Sequence, residues 1–292
     1  MVARPPLILT RRGLLAAATL GVAGVAACSS TSPGPESKRL RYGSAHPDQY
    51  GQLRTPGDRP RALVVLVHGG FWSSSYGADL MQPLADDLHG AGYATWNIEY
   101  RRLGDGGGWP ATFEDVAAAF DHVHRMPGLV NGIVPGLVVH AVGHSAGGQL
   151  ATWAASRTAG TPGGAAAVLP RHTFSLAGVL DLQGAARHGV GGAAAAELLG
   201  GFPDEVPDRY RQADPALLAP KQPVTVVVGA QDQVVPSSQA ATYLVQQRGR
   251  PVTRLDVPGG HFALIDPTSQ AWKRVRRALD DLSPRLAGRG TD

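Results

Sequence analysis

The chain has 292 residues, 43% of them hydrophobic and 17% charged, which suits one globular domain with a large core and argues against an extended or disordered chain. Its formal charge of +4 comes mostly from Arg4, Arg11 and Arg12; beyond residue 27 there are 24 basic side chains against 23 acidic ones. That balance, with no basic stripe interleaved with aromatics, gives no support to nucleic-acid binding. Cys28 is the only cysteine, so an internal disulfide is excluded.

Thr10-Arg11-Arg12-Gly13-Leu14-Leu15 opens an apolar run that continues to Ala27. A basic start, an apolar stretch and small residues at its end form a secretory signal, expected over 1–27. The arginine pair resembles a twin-arginine export signal. Val25-Ala26-Ala27-Cys28 resembles a bacterial lipobox, with the Cys28 thiol as the acylation site. Gly13–Ala27 is shorter than the roughly 20 residues of a spanning helix. Residues 28–39, rich in serine and proline, read as a polar tether. The expected location is the bacterial cell envelope, with the exported protein lipid-anchored on the outer side of the cytoplasmic membrane.

Residues 40–292 read as the folded domain. Short apolar runs at Leu63–Val67, Tyr93–Ile98, Leu137–Val142, Phe174–Leu180, Val224–Val228 and Val252–Val257 predict strands, most of them buried on both faces. Helices are predicted between them. Phe113–Met126 puts Phe113, Val116, Ala117, Phe120 and Val123/His124 on one face. Ala146–Arg157, Ser237–Arg248 and Thr268–Leu282 follow, and Asp266 is expected to cap the last. This alternation predicts an α/β fold, a mostly parallel sheet with helices on both faces. Two stretches interrupt it. Ala159–Ala167 is a Gly/Ala/Pro loop. Residues 183–221, with a helix at Ala193–Leu199, are either a small cap over the sheet's carboxyl edge or a surface excursion.

The chemistry sits at the ends of the predicted strands. Gly143-His144-Ser145-Ala146-Gly147 matches G-x-S-x-G between an apolar strand and a helix, the context of a nucleophile elbow. Only small residues fit on either side of such a turn. His68-Gly69-Gly70-Phe71-Trp72 ends the first of the predicted strands. Its Gly70 and Phe71 N–H groups, with that of Ala146, are the candidate oxyanion hole. Asp232 follows the strand at Val224–Val228, and His261 follows the next one. Ser145 is thus the candidate nucleophile, His261 its general base and Asp232 the acid that orients the imidazole. Asp181 also follows a strand and is given a structural role. His68 is expected to brace the oxyanion loop, and His140 to be a bonded core histidine. Phe71, Trp72 and Trp109 either line the acyl or leaving-group pocket or simply pack. No histidine spacing of the H-E-x-x-H kind is present, so neither a metal nor another cofactor is expected.

HGGFW, GHSAGG, GAQD and GGHF together resemble the α/β-hydrolase superfamily. More narrowly they are similar to its HGGxW esterase/arylformamidase branch, which includes kynurenine formamidases and feruloyl-esterase-like proteins. Trp96–Arg101, Trp109-Pro110, Phe113–Val116 and Gly178–Leu182 extend the match. The resemblance spans about residues 63–282. It implies ester or amide hydrolysis through an acyl-enzyme, without a metal, and a small-molecule carboxylic ester is the leading substrate expectation. A small-amide hydrolase such as an arylformamidase is the alternative enzyme. A catalytically silent binding lipoprotein is the alternative of another class, opposed by the complete set of triad positions.

Overall fold

The structure, a computed structural model, describes residues 37–57, 59–127 and 132–283. The signal, Cys28 and most of the tether lie outside these residues. Eight strands form one sheet: β1 (Lys38–Arg41), β2 (Tyr50–Arg54), β3 (Leu63–Val67), β4 (Ala94–Ile98), β5 (Val139–His144), β6 (His172–Leu176), β7 (Val224–Gly229) and β8 (Val252–Val257). Their order across the sheet is β1-β2-β4-β3-β5-β6-β7-β8. β1 runs antiparallel to β2, and β2 to β4; all the other pairs are parallel.

The helices are α1 (Gln82–Gly90), α2 (Ala111–His122), α3 (Ala146–Ala154), α4 (Leu182–His188), α5 (Ala194–Leu199), α6 (Pro207–Ala213), α7 (Ser238–Gln246) and α8 (Gln270–Leu282). Strand periodicity divides the core between the two faces of the sheet. Leu63, Val65 and Val67 of β3 join the Trp96, Phe113, Phe120 and Trp153 cluster under α2 and α3. Val64 and Leu66 join the cluster of Leu84 and Leu88 of α1 and Trp272 and Leu279 of α8. All five residues of β3 are therefore buried, which is why the strand reads as an unbroken apolar run. In α2, Phe113, Val116, Ala117 and Phe120 are buried together as expected; Val123 is buried just beyond them, and His124 is exposed.

Several boundaries differ from the sequence reading. β1 and β2 were not expected, and β1 begins at Lys38, inside the stretch read as tether. β6 stops at Leu176, because Ala177 takes a left-handed φ of 46° that turns the chain out of the sheet. β8 is an edge strand, with Arg254 and Asp256 exposed and paired at 2.7 Å, rather than a strand buried on both faces. Ser269, not Asp266, caps α8: its hydroxyl accepts the Trp272 N–H at 2.9 Å, while Asp266 closes a local turn with Thr268. The 183–221 stretch holds α5 at the expected place and also α6 and all of α4 but its first residue.

Candidate active site

The carboxyl ends of the parallel strands β3, β5, β7 and β8 converge on one edge of the sheet, where a doubly wound fold gathers its chemistry. β5 ends at His144 and α3 begins at Ala146, so the strand-to-helix reversal falls on Ser145 alone. Its φ of 55° and ψ of −121° lie outside the regions open to most side chains. Such a residue costs about 1–3 kcal/mol and persists only where its surroundings over-determine it. Here they do. Ser145 N–H donates to Leu176 O at 2.8 Å, and Ser145 O accepts from Gln149 N at 3.1 Å. A Cβ on Gly143 would meet the Gly147 carbonyl, and one on Gly147 would meet the carbonyls of Val67 and His68. The glycines of the motif thus let three backbone segments touch around the serine.

His261 opens a 3₁₀ turn, His261–Ile265, after β8. Its Nδ1 lies 2.8 Å from Asp232 Oδ2, and both side chains are about 5% exposed. Asp232 Oδ1 also accepts the N–H groups of Val234 and Val235, at 2.8 and 3.0 Å. Burial raises the Asp232 pKa, but the His261 bond and the two N–H groups outweigh it and leave the carboxyl below its ordinary value. An ionised Asp232 only accepts, so His261 Nδ1 carries a proton and Nε2 presents its lone pair.

The oxyanion loop leaves β3 at His68. Gly69 lies so close to the elbow that a Cβ there would be 2.9 Å from Ser145 Cβ. Gly70, Phe71 and Trp72 all have left-handed φ values, of 105°, 50° and 56°. Among the described residues, the N–H groups of Gly70, Phe71 and Ala146 donate to no protein acceptor. His68 is fully buried beneath this loop, with Nδ1 2.8 Å from Gly69 O and Nε2 2.8 Å from Glu99 Oε1. Glu99 also accepts from Ala78 N and Tyr100 N. Burial raises its pKa, yet His68, Arg102 and these donors together hold it below the ordinary range.

Other expectations sort cleanly. Asp181 caps α4, accepting the Gly184 N–H at 2.8 Å. His140 bonds Ser283 Oγ at 2.8 Å inside the core. Trp72 is fully buried and Trp109 packs edge-on against Phe113 at 5.4 Å, while Phe71 is half-buried with its ring against Gly191 of the 183–221 stretch. His144, seen in the sequence only as the variable elbow position, donates from Nε2 to His261 O at 3.1 Å. Burial, with the neighbouring His261, pushes its pKa down to about 3, so it stays neutral. Two exposed aromatics at the site were given no role by the sequence: Tyr76, over Gly70, and Phe262 of the GGHF segment, edge-on to the His261 ring at 5.2 Å. The ligand atoms of His46, Asp48 and Asp105 lie within 4.8 Å of one another. They already serve the protein: Asp48 pairs with Arg102 at 2.6 Å, and His46 Nδ1 accepts the Asp48 N–H.

In sequence, residues 52–246 match the BD-FAE family. No curated protein matches the chain. Solved structures share its fold. A truncated carbohydrate esterase from gut microbiota superposes with a TM-score of 0.72 at 20% identity, over 87% of this chain and 99% of that one. Esterase B from Lactobacillus rhamnosis gives 0.70 at 20% identity, over 86% and 87%. A thermophilic esterase from Thermogutta terrifontis gives 0.64 at 20% identity, over 88% and 95%.

Proposed function

Because the chain belongs to the BD-FAE family of α/β-hydrolase esterases, and so is a carboxylic-ester hydrolase of the serine class, we propose that Ser145, His261 and Asp232 are its catalytic triad and that Gly70, Phe71 and Ala146 form its oxyanion hole. Ser145 Oγ attacks the ester carbonyl carbon as its proton passes to His261 Nε2. The carbonyl oxygen becomes an oxyanion held by the three free N–H groups. His261 then protonates the departing alkoxide, leaving an acyl-Ser145. Water, activated by the same imidazole, releases the acid and restores the hydroxyl. Asp232 holds the imidazole in the required tautomer and stabilises its cation.

The single observation that carries this reading is the buried His261–Asp232 pair at 2.8 Å, tied through the His261 carbonyl to His144, the residue before a serine at a left-handed φ. The solved esterase B has been inhibited by a C4-C4 tributyrin phosphonate, which supports short-chain acyl esters as the substrate class here as well. The direct test is fluorophosphonate labelling. The wild type should label, Ser145→Ala should not, and labelling that survives the substitution would remove Ser145 from the mechanism.

From the sequence of the N-terminus we further propose that the enzyme is exported by the Arg11-Arg12 signal and anchored in the cell envelope through a lipid on Cys28. Metabolic fatty-acid labelling that is unchanged by Cys28→Ser would refute the anchor.

A further inference from the structure

We propose that Gln149 is a positioning residue that locks the two arms of the oxyanion hole together; the proposal rests on the triad and oxyanion assignments above. One arm is the Ala146 N–H, at the start of α3. The other is Gly70-Phe71, on a loop whose two non-glycine residues, Phe71 and Trp72, sit at left-handed φ values. Gln149 bonds the residue next to each arm, Ser145 and Trp72. Its backbone N–H donates to Ser145 O, fixing it one turn along α3 from the nucleophile. Its side-chain Oε1 accepts the Trp72 indole N–H at 3.1 Å. Its Nε2 donates to Ala213 O, at the end of α6 in the cap, again at 3.1 Å. Gln149 and Trp72 are both fully buried.

The chemistry of the two partners selects the side chain. An indole N–H only donates and a backbone carbonyl only accepts. A carboxamide satisfies both at once. A carboxylate can still accept from Trp72 but turns an oxygen toward the Ala213 carbonyl, and an apolar chain leaves both groups orphaned in the interior. The cap is gripped beside this point as well, since Trp153, on the next turn of α3, donates its indole N–H to Gln212 O at 2.8 Å. Oxyanion donors act only when they sit within about hydrogen-bond distance of the charge that develops in the transition state. A small slip of Trp72 therefore lowers turnover while leaving ground-state binding unchanged.

The test uses the full chain with p-nitrophenyl butyrate as probe, comparing Gln149→Met, Gln149→Glu, Trp72→Phe and the double variant Trp72→Phe/Gln149→Met with wild type and Ser145→Ala. Gln149→Met is expected to lower kcat about 10- to 100-fold, with KM within about twofold, as for a displaced rather than deleted oxyanion donor. Its kcat–pH profile should keep its midpoint, because the His261–Asp232 pair is untouched. Gln149→Glu, which keeps the acceptor for Trp72, should retain more turnover than Gln149→Met. The double variant should be no slower than the worse single one, since both remove the same bond. Wild-type kcat in Gln149→Met, a loss confined to KM, a shifted pH midpoint or fully additive effects would each overturn the proposal. If Gln149→Met fails to fold, Gln149→Glu decides alone: turnover as low as that of Trp72→Phe would overturn it. A wild type that neither hydrolyses the ester nor takes up fluorophosphonate sinks the triad assignment instead, so the two failures are distinguishable.

Discussion

Gly147→Ala adds one methyl group and touches no reacting atom, yet it should disable the enzyme. The new Cβ would lie 2.6 Å from the carbonyl carbon of Val67 and closer still to the carbonyl oxygens of Val67 and His68. Ordinary contact begins near 3.4 Å, so elbow and strand end must separate by about 0.8 Å or more. The obstacles are backbone atoms of β3 and of the oxyanion loop, and no rotamer change relieves them. Overpacking of this kind costs about 1–3 kcal/mol. For a domain of this size that is a drop in Tm of about 2–12 °C. The same separation moves the Gly70 and Phe71 N–H groups away from Ser145. A misplacement near 1 Å can cost about 10²-fold in rate, so kcat should fall by about that factor with little change in KM. The assay is thermal unfolding together with ester hydrolysis on one preparation. Gly90→Ala is the control: Gly90 is exposed at the end of α1, its Cβ would meet nothing within 4 Å, and its φ is not left-handed. It should raise stability by up to about 1 kcal/mol and leave kcat alone. A Gly147→Ala protein with wild-type Tm and kcat would refute the close-approach account of the elbow.

Asp232→Asn should lower turnover about 10⁴-fold by spoiling the His261 tautomer, whereas Asp181→Asn should cost at most about 1 kcal/mol of stability as a weakened cap; steady-state kinetics on the pair would expose a wrong acid by reversing the order. Burial pushes the pKa of His140 down to about 4, against 6.5 when free. The folded state then binds fewer protons than the unfolded one, so about 3 kcal/mol of stability is lost as pH falls from 6.5 to about 4. Asp214 works in the opposite sense, since burial pushes it up to about 7, and it offsets part of that loss. His140→Asn should flatten the acid limb of a urea-midpoint profile over that window, and an unchanged slope would count against the assignment. Short-chain activated esters should be cleaved at least about 10²-fold better in kcat/KM than matched anilides, because an amine leaving group demands a better-placed proton from His261; equal rates, or a preference for an aryl formamide, would favour an amidase. Replacing Arg11 and Arg12 by Lys should retain precursor in the cytoplasm on fractionation, as a receptor-read pair requires; unimpaired export would refute the twin-arginine reading.

Strands buried on both faces declared themselves. LVVLV and VTVVVG offer no alternative to the interior of a parallel sheet, so β3 and β7 were found with ends correct to within a residue. KRLR and YGQLR gave no such signal. β1 is an edge strand and β2 buries only alternate residues, so their pairing rests on neighbours far along the chain. The end of β6 was equally hidden, because Phe174–Leu180 stays apolar through the point where Ala177 turns the chain away. At the start of α8 the sequence pointed to Asp266 as the cap, and only the Ser269–Trp272 bond shows that Ser269 takes that place.

Motif chemistry is local, and so the sequence by itself determined the strand-to-helix turn at Ser145, the glycine pair after β3 and the chain order of the proposed triad Ser145, Asp232, His261. Gly143 and Gly70 answer to Gly147 and Tyr76, a few residues along the chain, and the G-x-S-x-G pattern flags Gly147 although the backbone that presses on it, at Val67 and His68, is distant in sequence. Contact between side chains far apart in sequence was decided by tertiary structure alone. Asp232 and His261 meet only because β7 and β8 are parallel neighbours whose loops leave the same edge. Gln149, His144 and Glu99 are ordinary residues in their own segments. They acquire roles when packing removes water from around Trp72, the His261 carbonyl and His68, and leaves each polar group one partner to find.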